Sequence, residues 1–216
     1  MEGRLKVQGQ RSESRSMAGI KGTAIESLVA DVNRVVQEGR IRPDELEACL
    51  QQEDLAILGQ KILAALWYPM GTYERLTQLL LRVEGRSEME YVIERGRSAA
   101  ARLRDTGIYG QLARNRNELG DRIGRIMVTL GPAMYQDTQW DFHYESSAST
   151  TDFRIEVRVP PEFPDLARYA AQGFIEYLSN LDRDFPIGVS SERASPRLLV
   201  FRAAPSRLSQ AKRWRR

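Results

Sequence analysis

The chain has 216 residues, of which 42% are hydrophobic, 28% charged and 8% aromatic, with a formal net charge of +3. That composition excludes collagen-like, low-complexity and largely disordered chains, and the length suffices to bury a core without disulfide or metal staples. The charge is uneven: residues 202–216 hold six basic residues and no acid, and residues 1–16 carry +2, so the segment 17–201 carries −5.

Residues 1–16 are polar and aperiodic, which predicts a flexible basic extension or an artefact of start-site choice before Met17. From Thr23 the apolar positions recur at helical steps, with Ile25, Leu28, Val29, Val32, Val35 and Val36 on one stripe. Gly39 suits a helix stop. Pro43 opens a short helix, followed by Asp44 and Glu45 where the helix dipole favours acids. A third helix is predicted over 54–67, striped by Leu55, Leu58, Ile62, Ala65 and Leu66 and ended by Pro69 and Gly71. Thr72 is the expected N-cap of the next helix, which carries Tyr73, Leu76, Leu79, Leu80 and Val83 and stops at Gly85. Ser87 and Glu90 have capping-box spacing for a helix reaching about Arg104. After a connector at 107–112, a further helix is predicted over roughly 118–134.

Beyond Tyr135 the period falls from 3.6 to 2. Trp140, Phe142 and Tyr144 alternate with Asp141, His143 and Glu145. Phe153, Ile155, Val157 and Val159 alternate with Arg154, Glu156 and Arg158, across a polar loop at 146–152. Pro164 and Asp165 open a helix striped by Leu166, Tyr169, Ala170, Gly173, Phe174, Tyr177 and Leu178. Strands over 185–191 and 197–203 follow, with a turn at 194–196. The expected class is α+β: an N-terminal helical part packed with a C-terminal strand-strand-helix-strand-strand antiparallel sheet. No linker or repeat interrupts it, so 17–203 reads as a single domain and 204–216 as a basic tail.

Several chemistries are excluded or demoted. Cys49 is the sole cysteine, so no intramolecular disulfide forms; Glu45, Glu47 and Glu53 nearby disfavour a thiolate, and a structural thiol is expected. His143 is the sole histidine, which removes any multi-histidine metal site and, with one cysteine, a structural zinc site. No phosphate-binding or dinucleotide glycine motif occurs. The pairs Glu45/Glu47, Glu53/Asp54 and Glu88/Glu90 read as solvated helix surface. No catalytic, cofactor-binding or metal-ligating residue is assigned. The longest apolar run, Ile62 to Tyr68, is far short of a membrane span, and no apolar stretch stands near the N-terminus, so a cytoplasmic chain is expected.

Three features rise above this background. Trp67, Tyr68 and Tyr73 flank the break at Pro69-Met70-Gly71 and are candidates to line an apolar ligand pocket, against simple core packing at a kink. The polar strand face, with Asp141, His143, Glu145, Arg154, Glu156 and Arg158, is either a solvated surface or a docking face for another subunit. In the tail, Lys212, Arg213, Trp214, Arg215 and Arg216 combine charge with a stacking ring suited to nucleic acid or anionic lipid, against a solubilising end.

The runs IKGTAIESL, LWYPMGTYERL, YVIERGRSAA and RIEVRVPPEFPDLARYAAQGFIEYL resemble a family of uncharacterised proteins with many paralogues in myxobacteria, over roughly residues 19–203. That family is similar in turn to the haem-nitric-oxide/oxygen-binding fold and to V4R and transport-particle subunits. The resemblance implies a compact α+β module for small-molecule sensing or protein assembly, often dimeric. Haem-binding members use a helix-borne histidine and a Tyr-x-Ser-x-Arg motif. Here His143 falls on a strand, and Tyr91 to Arg95 is only an echo of the motif, so no haem and no other cofactor is carried over. The expected function is a non-enzymatic regulatory or assembly module, acting through homodimerisation and a small apolar ligand, with another protein as a further partner. The alternatives are a nucleic-acid-associated protein using the tail, and an enzyme with an unrecognised carboxylate or serine site.

Overall fold

The computed structural model describes residues 18–85, 88–105, 119–147, 150–181 and 186–205. In chain order these form β1 (Gly19–Lys21), α1 (Gly22–Gln37), α2 (Pro43–Cys49), α3 (Gln52–Leu58), β2 (Trp67–Pro69), α4 (Met70–Glu84) and α5 (Glu88–Asp105). Then come α6 (Leu119–Met134), β3 (Gln139–Ser147), β4 (Thr150–Arg158), α7 (Asp165–Ser179), β5 (Ile187–Ser195) and β6 (Leu198–Pro205). The N-terminal extension, the Ser87 cap, the 107–112 connector and the tail with Lys212, Arg213, Trp214, Arg215 and Arg216 lie outside the described residues.

The α+β class is the one expected from the change of period. The four long strands pair antiparallel in the order β3-β4-β6-β5. Their inner face buries Trp140, Phe153, Ile155, Val157, Val189, Leu199 and Phe201. α6 covers β3, and α7 lies along β5. Further out, α1 packs on α4 through the stripes Ile25, Leu28, Val32, Val35 and Leu76, Leu79, Leu80. Residues of both parts join one core. No described helix is long and apolar enough to cross a membrane.

The helices α5 and α7 meet backbone to backbone. A Cβ on Gly96 would overlap the Ala170 carbonyl oxygen, and one on Gly173 would overlap the Ile93 carbonyl oxygen. Only glycine permits so close an approach. The Arg97–Glu176 ion pair at 3.0 Å ties the same crossing.

The structure corrects four details. The helix expected over 54–67 ends at Leu58, and Trp67 stands in a strand, opposite Lys21. Gly59 breaks the stripe, and the backbone beyond it pairs with β1 from Trp67 on, while the Gly22 amide at the start of α1 donates to the Leu66 carbonyl at 2.9 Å. Thr72 is not a cap, because α4 begins at Met70 behind Pro69 and buries Thr72 in its first turn. Asp54 is not solvated surface; it is fully buried, with Arg75 bonding both carboxylate oxygens. The loop expected at 146–152 is mostly sheet, since pairing continues to Ser147 opposite Thr150.

Candidate functional site

α6 and β3 are joined by a corner so tight that Asp137 adopts φ 57°. Asp tolerates this left-handed conformation better than most residues. The corner folds β3 back along α6. Thr138 fixes it, its hydroxyl donating to the Tyr135 carbonyl at 2.8 Å and accepting from the Trp140 indole N–H at 2.9 Å. The indole is thereby held in one orientation, its plane laid against Gly131. A Cβ at Gly131 would fall inside the Trp140 ring, and one at Gly124, seven residues earlier on the same helix face, inside the Phe142 ring.

Beside this notch lies an apolar cavity of about 20 Å³, lined by Met127, Leu130, Met134, Tyr135, Trp140 and Phe174, with Gly131 and Ala171 completing the wall. Trp140 stacks on Tyr135 at 6.3 Å and on Phe201 at 6.1 Å, so one wall is a rigid aromatic column. The opposite wall is softer, because the Met127 and Met134 side chains have three rotatable bonds each. Pro132 sits inside α6 and cannot donate to the carbonyl one turn back, which loosens the helix where it borders the cavity. Burial pushes the Tyr135 phenol far above its ordinary range, so it presents a neutral ring. The space has the size of about one small solute and offers few polar partners, the kind of cavity that stays dry.

The aromatic trio singled out from sequence does not line this cavity. Tyr68 is buried, its hydroxyl accepting from the Leu63 amide at 2.9 Å. Tyr73 is buried on the first turn of α4, which pushes its phenol up to about 12. Trp67 is 39% exposed, with Lys21 Nζ 4.2 Å from its ring centre. The signal for the cavity was present in the glycines at 124 and 131, placed seven apart on a helix that precedes a strand alternating Trp140 and Phe142.

The outer sheet face is striped by charge. Register sets His143, Arg154, Arg202 and Ser190 in one row, and Asp141, Glu156, Val200 and Glu192 in the next. Like charges oppose within the rows, and pairs between rows relieve them: Arg154 with Glu156, Arg202 with Glu192, and Arg158 from the third row with Asp141 at 2.8 Å. His143 is exposed in this face. Cys49 is half-buried on α2, and the nearest charge in space is not a Glu: Arg82 Nη1 lies 3.0 Å from its sulfur. Among the described residues no group of three His, Cys, Asp or Glu side chains could hold a metal ion.

No protein-family profile matches the chain, and no curated protein matches it in sequence. Solved structures do. The Fe(II) unliganded H-NOX protein from K. algicida is similar at TM-score 0.61 and 13% identity, over 87% of this chain and 97% of that one. An H-NOX protein from S. oneidensis in the Fe(II)NO ligation state is similar at TM-score 0.56 and 10% identity, over 86% and 99% of the two chains. At such identities the likeness is one of architecture: this chain is an α+β protein with the H-NOX fold.

Proposed function

We propose that the chain is a non-enzymatic regulatory module that takes a small apolar ligand between α6, β3 and α7 and acts as a homodimer. The observation that carries this reading is the apolar cavity beside the Gly131–Trp140 contact, at the junction where α6 turns into the sheet. A ligand larger than the present space can enter only by moving the methionines and α6 outward. Occupancy would thereby change the angle between helix and sheet.

Among the structures of similar fold are H-NOX proteins in the Fe(II) state, one of them NO-ligated, and one whose description concerns haem redox potential and porphyrin distortion. The residues of this chain do not fit that group. Pockets for drug-sized ligands and cofactors measure about 300–1,000 Å³, whereas this cavity measures about 20 Å³ and is lined by the Trp140, Tyr135 and Phe174 rings. The sole imidazole, His143, lies on the far face of the sheet. The ligand of this module is therefore bound by packing, not by a metal.

The test is xenon pressure with NMR of methionine methyl groups. The expected result is a saturable shift of the Met127 and Met134 methyls, with Met70 and Met89 unmoved. Ala171→Val, which fills the wall, should abolish it. Equal, unsaturable shifts of all four methyls would overturn the cavity reading.

A further inference from the structure

A second recess lies on the other side of the helical part, between α1 and α5. Along α1, Ser27, Asp31 and Arg34 stand four and three residues apart, and so share one face. Along α5, Tyr91, Arg95, Ser98 and Arg102 follow at steps of four, three and four, again on one face. Facing helices ordinarily bury apolar stripes against each other. Here two polar stripes face across a cleft of about 260 Å³, bounded also by Glu84 and Glu94.

The cleft is held open by two bridges of different kinds. In the middle, Arg95 Nη1 donates to Asp31 Oδ2 at 2.7 Å and to the Tyr91 hydroxyl at 3.2 Å. Asp31 also accepts from Arg34 at 3.2 Å, so a single carboxylate serves two guanidiniums. At one end, Arg102 Nη2 donates to the Ser27 hydroxyl at 3.0 Å. Arg102 touches no carboxylate among the described residues, although on the same helix Arg97 pairs with Glu94 and Glu176 and Arg104 with Asp105. Partial desolvation and the neighbouring Arg95 push the Arg102 guanidinium below its ordinary value, whereas Arg95, beside Asp31, is raised despite its greater burial. Asp31 acts on Arg102 only at a distance, so among the described residues the Arg102 guanidinium has a hydroxyl partner but no carboxylate in direct contact.

We propose that this end of the α1–α5 cleft binds a small phosphate-bearing ligand, seated on Arg102 and Ser98 with Arg95 behind. Ser98 and Arg102 are one helical turn apart, so a hydroxyl and a planar fork of donors converge on one oxyanion. A tetrahedral phosphate has more acceptor oxygens than a carboxylate, and this wall, with two guanidiniums and a hydroxyl, matches that excess. The cleft volume limits the ligand to a small molecule. Free phosphate and a phosphate monoester share the chemistry. The site is separate from the apolar cavity, which is lined from α6, β3 and α7.

The experiment is 31P line broadening and thermal denaturation with the full chain, using inorganic phosphate, glycerol 3-phosphate and acetate at equal ionic strength. The expected result is a saturable rise in Tm with either phosphate and none with acetate. Arg102→Gln should abolish that rise while leaving the ligand-free Tm near the starting value, because Arg102 bonds only one surface hydroxyl. Ser98→Ala should weaken binding several-fold. Tighter binding of glycerol 3-phosphate than of inorganic phosphate identifies a monoester as the ligand; the reverse order identifies free phosphate. The proposal is overturned by no phosphate effect on the starting protein, by an equal effect of acetate, or by an undiminished effect in Arg102→Gln.

Discussion

Asp54 shows how far a single side chain can depart from what its neighbours in sequence suggest. It follows Glu53 in the first turn of a helix, where acids normally face water, yet it is fully buried. Its oxygens accept from Arg75 Nε at 2.5 Å and Nη2 at 2.8 Å, and from the Gln51 amide at 2.8 Å. Burial by itself raises the carboxyl, and the hydrogen bonds from Arg75 and Gln51 outweigh it, so the pKa lies below the ordinary value. A depressed folded pKa stabilises the fold above the unfolded value of about 3.9, and that stability is lost as pH falls through the folded value. Asp54→Asn should therefore flatten the acid limb of the stability curve below about pH 4. At neutral pH it should cost about 3 kcal/mol, the lower end for unpairing a buried charge, because Arg75 is 26% exposed and can rehydrate. Urea denaturation at pH 7 and at pH 3 checks both. The burial was not legible because the partner, Arg75, is 21 residues away on another helix.

At the scale of elements, the strands β3 to β6 and the helix α7 were legible because their periods are long enough to count. β1 and β2 were not, since three residues show no period, and each is defined only by the other. The helix interiors at Gly96 and Gly173 carried a half-legible signal. A mid-helix glycine costs about 1 kcal/mol against alanine, so its presence implies a compensating contact, but not with what. The structure supplies the partner: each glycine meets the other helix's backbone. Gly173→Ala should destabilise by about 3 kcal/mol, as overpacking against an unyielding carbonyl does. Adding Gly96→Ala should cost less than its single effect, because the first methyl already separates the helices. A double-mutant cycle by chemical denaturation measures this, and strict additivity would contradict the shared contact.

For the molecule as a whole, the architecture could be read in the sequence while the candidate cavity could not. The trio Trp67, Tyr68 and Tyr73 was conspicuous by composition, but its rings are distributed between surface and core by the β1–β2 pairing. The cavity is made by residues from α6, β3 and α7 whose meeting depends on the turn at Asp137. The striped outer face bears on assembly. In the proposed homodimer, a two-fold rotation would lay the row of His143, Arg154 and Arg202 of one copy on the row of Asp141, Glu156 and Glu192 of another. A dimer built this way should weaken as salt screens it, and Arg202→Glu should dissociate it. Sedimentation at low and high ionic strength reads both effects, and a monomer at low salt would count against dimerisation through this face.

The contact of α5 with α7 also sets which motions the molecule can make. Because backbone touches backbone, with no side chains between, sliding either helix along the other by one residue would drive a Cβ into a carbonyl. Translation is blocked, while rotation about the contact is not. The crossing of Gly96 and Gly173 is thus a pivot. Displacement of α5 against α7 should therefore be rocking about that point, with its amplitude growing with distance from it.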